Sequence, residues 1–315
     1  MENLVIVATQ VAILFALIAV GAVCRRAKLV SETTVPGLVN VLIIIVTPAL
    51  IIDAFSRPFD PSMLAGLGVA FLFALGAHFA TIAVARVAFR STRVDTRCVL
   101  KVATVFSNAG FMGVPLEQAI LGDKGVFYGI VYVVVFNLLM WSWGLSVMRR
   151  GNSGGRFNRM MFVNPGTVGI VIGLVCFALP WELPRIVREP VRMTAALNTP
   201  LAMIVIGYYL AGANLRSALR SGAAWLSLGI RLVAVPLAVT GALWCFRGCL
   251  DPTLMLAVVI PAAAPVGAMV TMFSSRYARD VDMSVAMVSF STLLSILTMP
   301  PVIALAMSVL QKGGL

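Results

Sequence analysis

Residues 107–115 read Ser107-Asn108-Ala109-Gly110-Phe111-Met112-Gly113-Val114-Pro115 and interrupt an otherwise apolar run from Cys98 to Leu121. Inside a bilayer no water satisfies backbone N–H and C=O groups. A break at mid-depth therefore survives only where protein or a wet cavity supplies partners. Gly110, Gly113 and Pro115 make such a break here, because glycine tolerates open backbone angles and proline lacks the N–H that continues a helix. Asn108 adds a polar amide beside it. A second apolar run is interrupted in a similar way at Pro261-Ala262-Ala263-Ala264-Pro265-Val266-Gly267. Paired interruptions in the two halves of a membrane protein point to a transporter's substrate site.

The composition agrees with a membrane setting. The chain is 60% hydrophobic and 11% charged, where soluble domains have roughly 45–50% and about 25%. Its net charge of +12 comes from basic residues between apolar spans. There they set orientation and meet lipid headgroups, so nucleic acid is not an expected partner. The start, Met1-Glu2-Asn3-Leu4, lacks the basic region of a signal peptide, and the first span is expected to be retained. The five cysteines show no metal spacing and read as small apolar helix residues.

Taken in order, the spans are expected at about 4–24, 35–55, 63–85, the broken fourth at 98–121, 126–148, 165–179, 193–213, 222–246, 253–275 and 283–310. The fold class is an all-α integral membrane protein of ten helices. The first five-helix repeat covers 1–150, a basic Gly/Ser-containing connection covers 151–164, and the second repeat covers 165–315. Five is odd, so the second set enters from the opposite side, which makes the repeat inverted. Spans two and seven each carry Asn and Pro (Asn40, Pro48; Asn198, Pro200), and spans four and nine are both interrupted. Arg25, Arg26, Lys28, Arg86, Arg90, Arg93, Arg97, Lys101, Arg149, Arg150, Arg276 and Arg279 all fall on one side of this plan. The other side holds far fewer cations, which predicts both termini outside the cytoplasm.

Asn108-Ala109-Gly110-Phe111-Met112-Gly113-Val114-Pro115-Leu116 followed by Gly122 resembles the fourth-span signature of the auxin efflux carrier family. Thr47-Pro48-Ala49-Leu50-Ile51, Pro200 with Gly207, and Pro261 with Pro265 extend the similarity over nearly the whole chain. The resemblance implies ten helices in a five-plus-five inverted repeat, crossing at broken helices four and nine. It also implies carriage of small organic anions. The chain lacks the long hydrophilic central loop of the long plant carriers, so it is similar to the compact bacterial type associated with malonate and malate.

At a broken helix the free N–H groups and positive dipole end favour an anion, and free carbonyls can hold a cation. The substrate set expected from this is Asn108, Gly110, Gly113 and Pro115 with Pro261 and Pro265. Asn40, Thr47, Asn137 and Asn198 are polar groups in spans that the resemblance places near the crossover; each singly reads as helix glue, and as a set they are expected to line the cavity. No polar side chain accompanies Pro261 and Pro265, so span nine is expected to offer backbone, with Thr271 or Ser274 more distant. Glu117 and His78 are the proton-coupling candidates, against a solvated outer boundary for Glu117 and a helix-packing hydrogen bond for His78. Arg231 is expected to snorkel to the inner surface. Trp141, Trp143, Trp181 and Trp244 read as interface anchors.

The function expected is secondary transport of a small organic anion, a mono- or dicarboxylate such as malonate or malate, by alternating access across the inner (plasma) membrane. A channel or an uncoupled uniporter for auxin-like carboxylates is the alternative. No GxxxxGK[ST] motif is present, so coupling falls to an ion gradient, proton or sodium, or to the membrane potential. An enzyme would need a Ser/His pair or clustered acids, and no cofactor or metal is expected. The partners expected are the anion, the coupling ion, the bilayer and a second copy of the chain.

Overall fold

The computed structural model describes residues 2–56, 61–90, 92–149, 165–178 and 184–311. The connection 151–164 and Trp181 lie outside these residues. The first half contains α1 (Glu2–Arg26), α2 (Val35–Val41), a π-helical turn (Leu42–Val46), α3 (Thr47–Phe55) and α4 (Pro61–Ala88). It continues with α5 (Val94–Val105), a π turn (Ala109–Gly113), α6 (Val114–Leu139), a π turn (Met140–Gly144) and α7 (Leu145–Arg149). The second half contains α8 (Pro165–Ala178), α9 (Arg185–Ala196), α10 (Asn198–Ala211), short α11 (Arg216–Leu219) and α12 (Gly222–Gly229). After a π turn (Ile230–Ala234) come α13 (Val235–Trp244), α14 (Pro252–Ala263), α15 (Met269–Arg276) and α16 (Val281–Leu310).

The prolines account for three of the π turns. Those at Leu42–Val46, Ala109–Gly113 and Ile230–Ala234 each end two residues before Pro48, Pro115 or Pro236. A proline ring clashes with the carbonyl four residues back and removes a donor. One extra residue in the preceding turn makes room for it without ending the helix.

Seven helical runs among the described residues are long and apolar enough to cross a membrane. One of them, Ala109–Arg149, has 41 residues and doubles back. Gly122 adopts φ 67°, ψ −162°, a region that only glycine enters freely. Beyond it, a Cβ on Gly129 would stand 2.0 Å from Glu117 Oε1, although a straight helix would hold the two about 18 Å apart. Pro165–Ala178 and Pro252–Ala263 are apolar but shorter. α14 and α5 have 12 residues each, about 18 Å of helix, which reaches only partway through a bilayer. The seventh expected span begins earlier than Met193, because α9 adds a basic helical segment carrying Arg185, Arg188 and Arg192.

Glycines set two tight helix pairs. A Cβ on Gly21 of α1 would meet the Ile204 carbonyl oxygen at 2.0 Å, and one on Gly207 of α10 would meet that of Ile18 at 1.9 Å. Likewise α8 lies on α3, where Gly169 faces Pro48 and Gly173 faces Phe55. Where lipid replaces water, such small residues hold helices together by letting backbones approach. A second group is built round α6 packed on α14, with α4, α13 and α16 against them. Arg279 fastens one end of this group: its guanidinium donates to Asp95 at 2.6 Å and to the Met148 carbonyl at 2.8 Å.

Candidate functional site at the crossing

The two interruptions meet. After α5 the chain becomes extended at Phe106, and after α14 it does so at Ala264. Ser107 and Val266 pair as an antiparallel bridge. The Asn108 N–H donates to the Pro265 carbonyl at 2.6 Å, and the Gly267 N–H donates to that of Phe106 at 2.9 Å. The Val266 N–H donates to Ser291 Oγ of α16 at 3.0 Å. Backbone that helix geometry leaves unsatisfied is thus satisfied by the other break, as an intramembrane interruption requires. The approach needs glycine at two places. A Cβ on Gly113 would lie 3.1 Å from Pro261 Cα, and one on Gly267 would lie 3.0 Å from the Ser107 oxygen.

On one side of the crossing, the C-terminal ends of α5 and α14 converge on Arg231. Its guanidinium donates to the Val105 carbonyl at 3.0 Å, to that of Thr104 at 3.4 Å, and to that of Ala262. Arg231 is fully buried, so it does not snorkel to the surface. The reason is local: two helix C-termini supply partial negative charge and unpaired carbonyls at one point, which offsets the cost of keeping the cation from water. The π turn at Ile230–Ala234 carries this side chain. His78 lies on the same side. Its Nδ1 is 2.7 Å from the Ala74 carbonyl, and its ring is 4.8 Å from that of Tyr132.

On the other side, the helical N-termini at Ala109 and Met269 open onto a small cavity of about 40 Å³, which Asn108, Gly110, Thr47 and Asn137 also line. The first amides of a helix have no intrahelical acceptor, and the positive dipole end lies there too. Asn108 Nδ2 is buried with no hydrogen-bond partner. The volume suits about three waters or the carboxylate end of a ligand. A larger cavity of about 360 Å³ adjoins it, sharing the walls Ile43, Phe111, Ala268 and Met269, and reaches Asn40, Thr271 and Arg276.

The expected residues therefore divide. Asn108, Gly110, Thr47 and Asn137 line the small cavity. Thr47 Oγ1 also donates to the Leu42 carbonyl, and Asn137 Nδ2 to that of Val133. Asn198 lies behind the first break and steadies it, its Nδ2 donating to the Gly110 carbonyl at 2.8 Å. Asn40 lines the larger cavity instead. Gly113, Pro261 and Pro265 form the contact between the breaks, and Pro115 shapes the turn after the first. Ser274 donates to its own helix at Val270.

Glu117 is fully buried, and neither carboxyl oxygen has a hydrogen-bond partner, so the solvated-boundary reading of it is overturned. It packs on Gly129, and it lines neither the small nor the larger cavity. Trp141 is no interface anchor either: it is 8% exposed and walls the small cavity. Trp244 is half exposed with Arg247 stacked on its ring at 4.7 Å, as an anchor would be. The second break, read from the sequence as bare of polar side chains, takes Ser291 and Arg231 from distant helices. The signals for these two were an isolated Arg before Pro236 and a Ser-rich α16, neither of which specifies a partner.

A family model described as "Membrane transport protein" matches residues 6–158 and 152–303. An "Uncharacterized transporter" of Methanothermobacter thermautotrophicus is 29% identical over 206 residues, which cover 64% of this chain and 65% of that protein. The matches to the family model take in both breaks, and the chain belongs to this membrane transport family, the auxin efflux carrier family that its fourth-span motif resembles.

Proposed function

We propose that the protein is a secondary transporter that binds the carboxylate of a small organic anion at the crossing and carries it by alternating access. The observation that carries this reading is the convergence of two helix N-termini and the unpartnered Asn108 amide on one cavity. Amide N–H groups and a positive dipole end attract a carboxylate, and an amide side chain can donate to one of its oxygens. The body of a mono- or dicarboxylate such as malonate or malate extends into the adjoining cavity, past Phe111 and Met269.

The reading includes ten helices in two inverted sets of five, with α5/α6 and α14/α15 as the broken pair. The doubled-back segment at Gly122 and the family match to both halves support it. The glycine-packed helices α1, α3, α8 and α10 form the scaffold, and the crossing group moves against it. Arg25, Arg97, Arg276 and Arg279 face the cytoplasm by the positive-inside rule, in the inner membrane. Arg231 already supplies a cation where the carbonyl ends converge, so no sodium is needed there. A proton at buried Glu117 then couples transport, with His78 as the second candidate.

The test is uptake of labelled malonate, malate and monocarboxylates into proteoliposomes. Asn108→Ala is expected to lower saturable uptake by roughly tenfold or more, the loss of one charge-assisted hydrogen bond, with unchanged elution and melting. Wild-type kinetics in that variant would sink the site, and single-channel currents would replace the carrier with a channel. Glu117→Gln is expected to remove the response of uptake to an imposed pH gradient. If the variant keeps that response, the proton is carried elsewhere.

A further inference from the structure

A second cavity lies away from the crossing, at the end of the bundle where the basic residues gather. It encloses about 290 Å³ between the last turns of α4, the start of α5 and α7, and it shares no wall residue with the small cavity at the crossing. Arg86, Arg97 and Lys101 line it, with Trp143, Ser146 and Cys98. Arg97 and Lys101 are one helical turn apart on α5, so both project from one face. Among the described residues, no acidic side chain lines this wall. Asp95, on the same helix, is bound by Arg279 at 2.6 Å instead. Arg97 is oriented by its own contact, donating from Nη1 to the Arg90 carbonyl at 3.1 Å.

We propose that this cavity is a binding site for a phosphate group, presented by an anionic phospholipid headgroup or by free phosphate. Three cations from two helices surround one concavity. A tetrahedral phosphate offers an oxygen to each, where a planar carboxylate has only two. Basic pockets between membrane helices near the cytoplasmic surface hold lipid headgroups by the same electrostatics. The flank of α4 favours the lipid. Leu72, Phe79 and Arg86 are spaced by seven, so they fall within about 40° on one stripe of the helix. Leu72 is 66% exposed and Phe79 53%, which gives an acyl chain an apolar track below the headgroup. The cavity also bears on the crossing, because the Trp143 ring lies 6.0 Å from that of Phe106, beside the first break.

The test uses the full-length protein in detergent, with native mass spectrometry and thermal melting in the presence of phosphatidylglycerol, phosphatidylcholine or inorganic phosphate. For the wild type, phosphatidylglycerol is expected to stay bound and raise the melting temperature, while phosphatidylcholine does neither. Arg97→Ala with Lys101→Ala is expected to weaken phosphatidylglycerol binding by roughly thirtyfold, the contribution of two cations near a membrane surface. Arg90→Ala, which leaves the carbonyl in place, binds like the wild type. Millimolar inorganic phosphate that displaces phosphatidylglycerol and reproduces the stabilisation supports the site and makes the solute its ligand. Equal retention of both lipids by the wild type, with no effect of phosphate, overturns the proposal. So does an Arg90→Ala loss as large as that of the double variant, since general surface charge then explains the binding.

Discussion

The two sides of the crossing use the same pair of breaks in opposite ways. Where α5 and α14 end, their carbonyls are closed by a guanidinium that belongs to the protein. Where the helices restart, at Ala109 and Met269, their amides open onto a cavity with an unpartnered asparagine amide. A broken helix exposes a negative and a positive end together. This chain closes the negative ends with its own guanidinium, and in the reading proposed above the positive ends are what receive the anion. On that proposal, stability rests mainly on one side and transport mainly on the other.

The largest effect should come from Arg231→Met, which keeps the bulk but removes the donors. The carbonyls of Val105 and Ala262 would then be buried without their charged partner, a loss on the order of 3–5 kcal/mol. Melting of the purified variant should fall steeply or the protein should fail to accumulate, and Arg231→Lys should lie between it and the wild type. A variant that melts and transports normally would break the comparison at its first term.

The glycines of the first break sharpen it at smaller cost. Gly113 faces the Pro261 backbone, and a Cβ there would lie 3.1 Å from its Cα, so Gly113→Val should destabilise by about 1–3 kcal/mol through overpacking. Gly110 lines the cavity, and a Cβ there would have only Val133 Cγ1 at 3.8 Å. Gly110→Ala should therefore leave melting nearly unchanged and lower the affinity for the anion. Equal melting of the two variants would show that the contact between the breaks is looser than the geometry implies.

The breaks themselves were legible in the sequence, because Gly and Pro inside apolar runs have few explanations in a bilayer. Asn108 and Gly110 were legible for the same reason, whereas Thr47 and Asn137 were expected there only through the family resemblance; all four line the small cavity. What closes the crossing was not. Arg231 lies more than a hundred residues from Val105, and a cation within a span reads first as a snorkelling side chain. Only the juxtaposition of two helix ends makes its burial favourable. Trp141 misled by its nearness to the end of a span, since the π turn at Met140–Gly144 swings it inward. Glu117 was ambiguous because its depth depends on the reversal at Gly122, which hides it against Gly129.

The smallest expected effect tests whether α6 and α14 depend on their buried tie or on a tie at their outer ends. Asp251 caps α14, accepting from the Thr253 N–H at 2.7 Å, and forms an ion pair with Lys124 just past Gly122. Burial alone would raise the Asp251 carboxyl, but Lys124 and the Thr253 N–H outweigh it and hold the group below its ordinary 3.8. A depressed carboxyl stabilises the fold at pH above its ordinary value, and that contribution is lost as pH falls through the folded value. Lys124 is half exposed, so the pair is screened and contributes at most about 1 kcal/mol. Asp251→Asn keeps a good helix cap and removes only the charge. Its melting temperature should fall by a few degrees at neutral pH, and the deficit should shrink as the pH falls below 3.8 and through the lowered folded value of Asp251. A deficit as large as that of Arg231→Met would move the main tie between the two broken helices from the crossing to the surface.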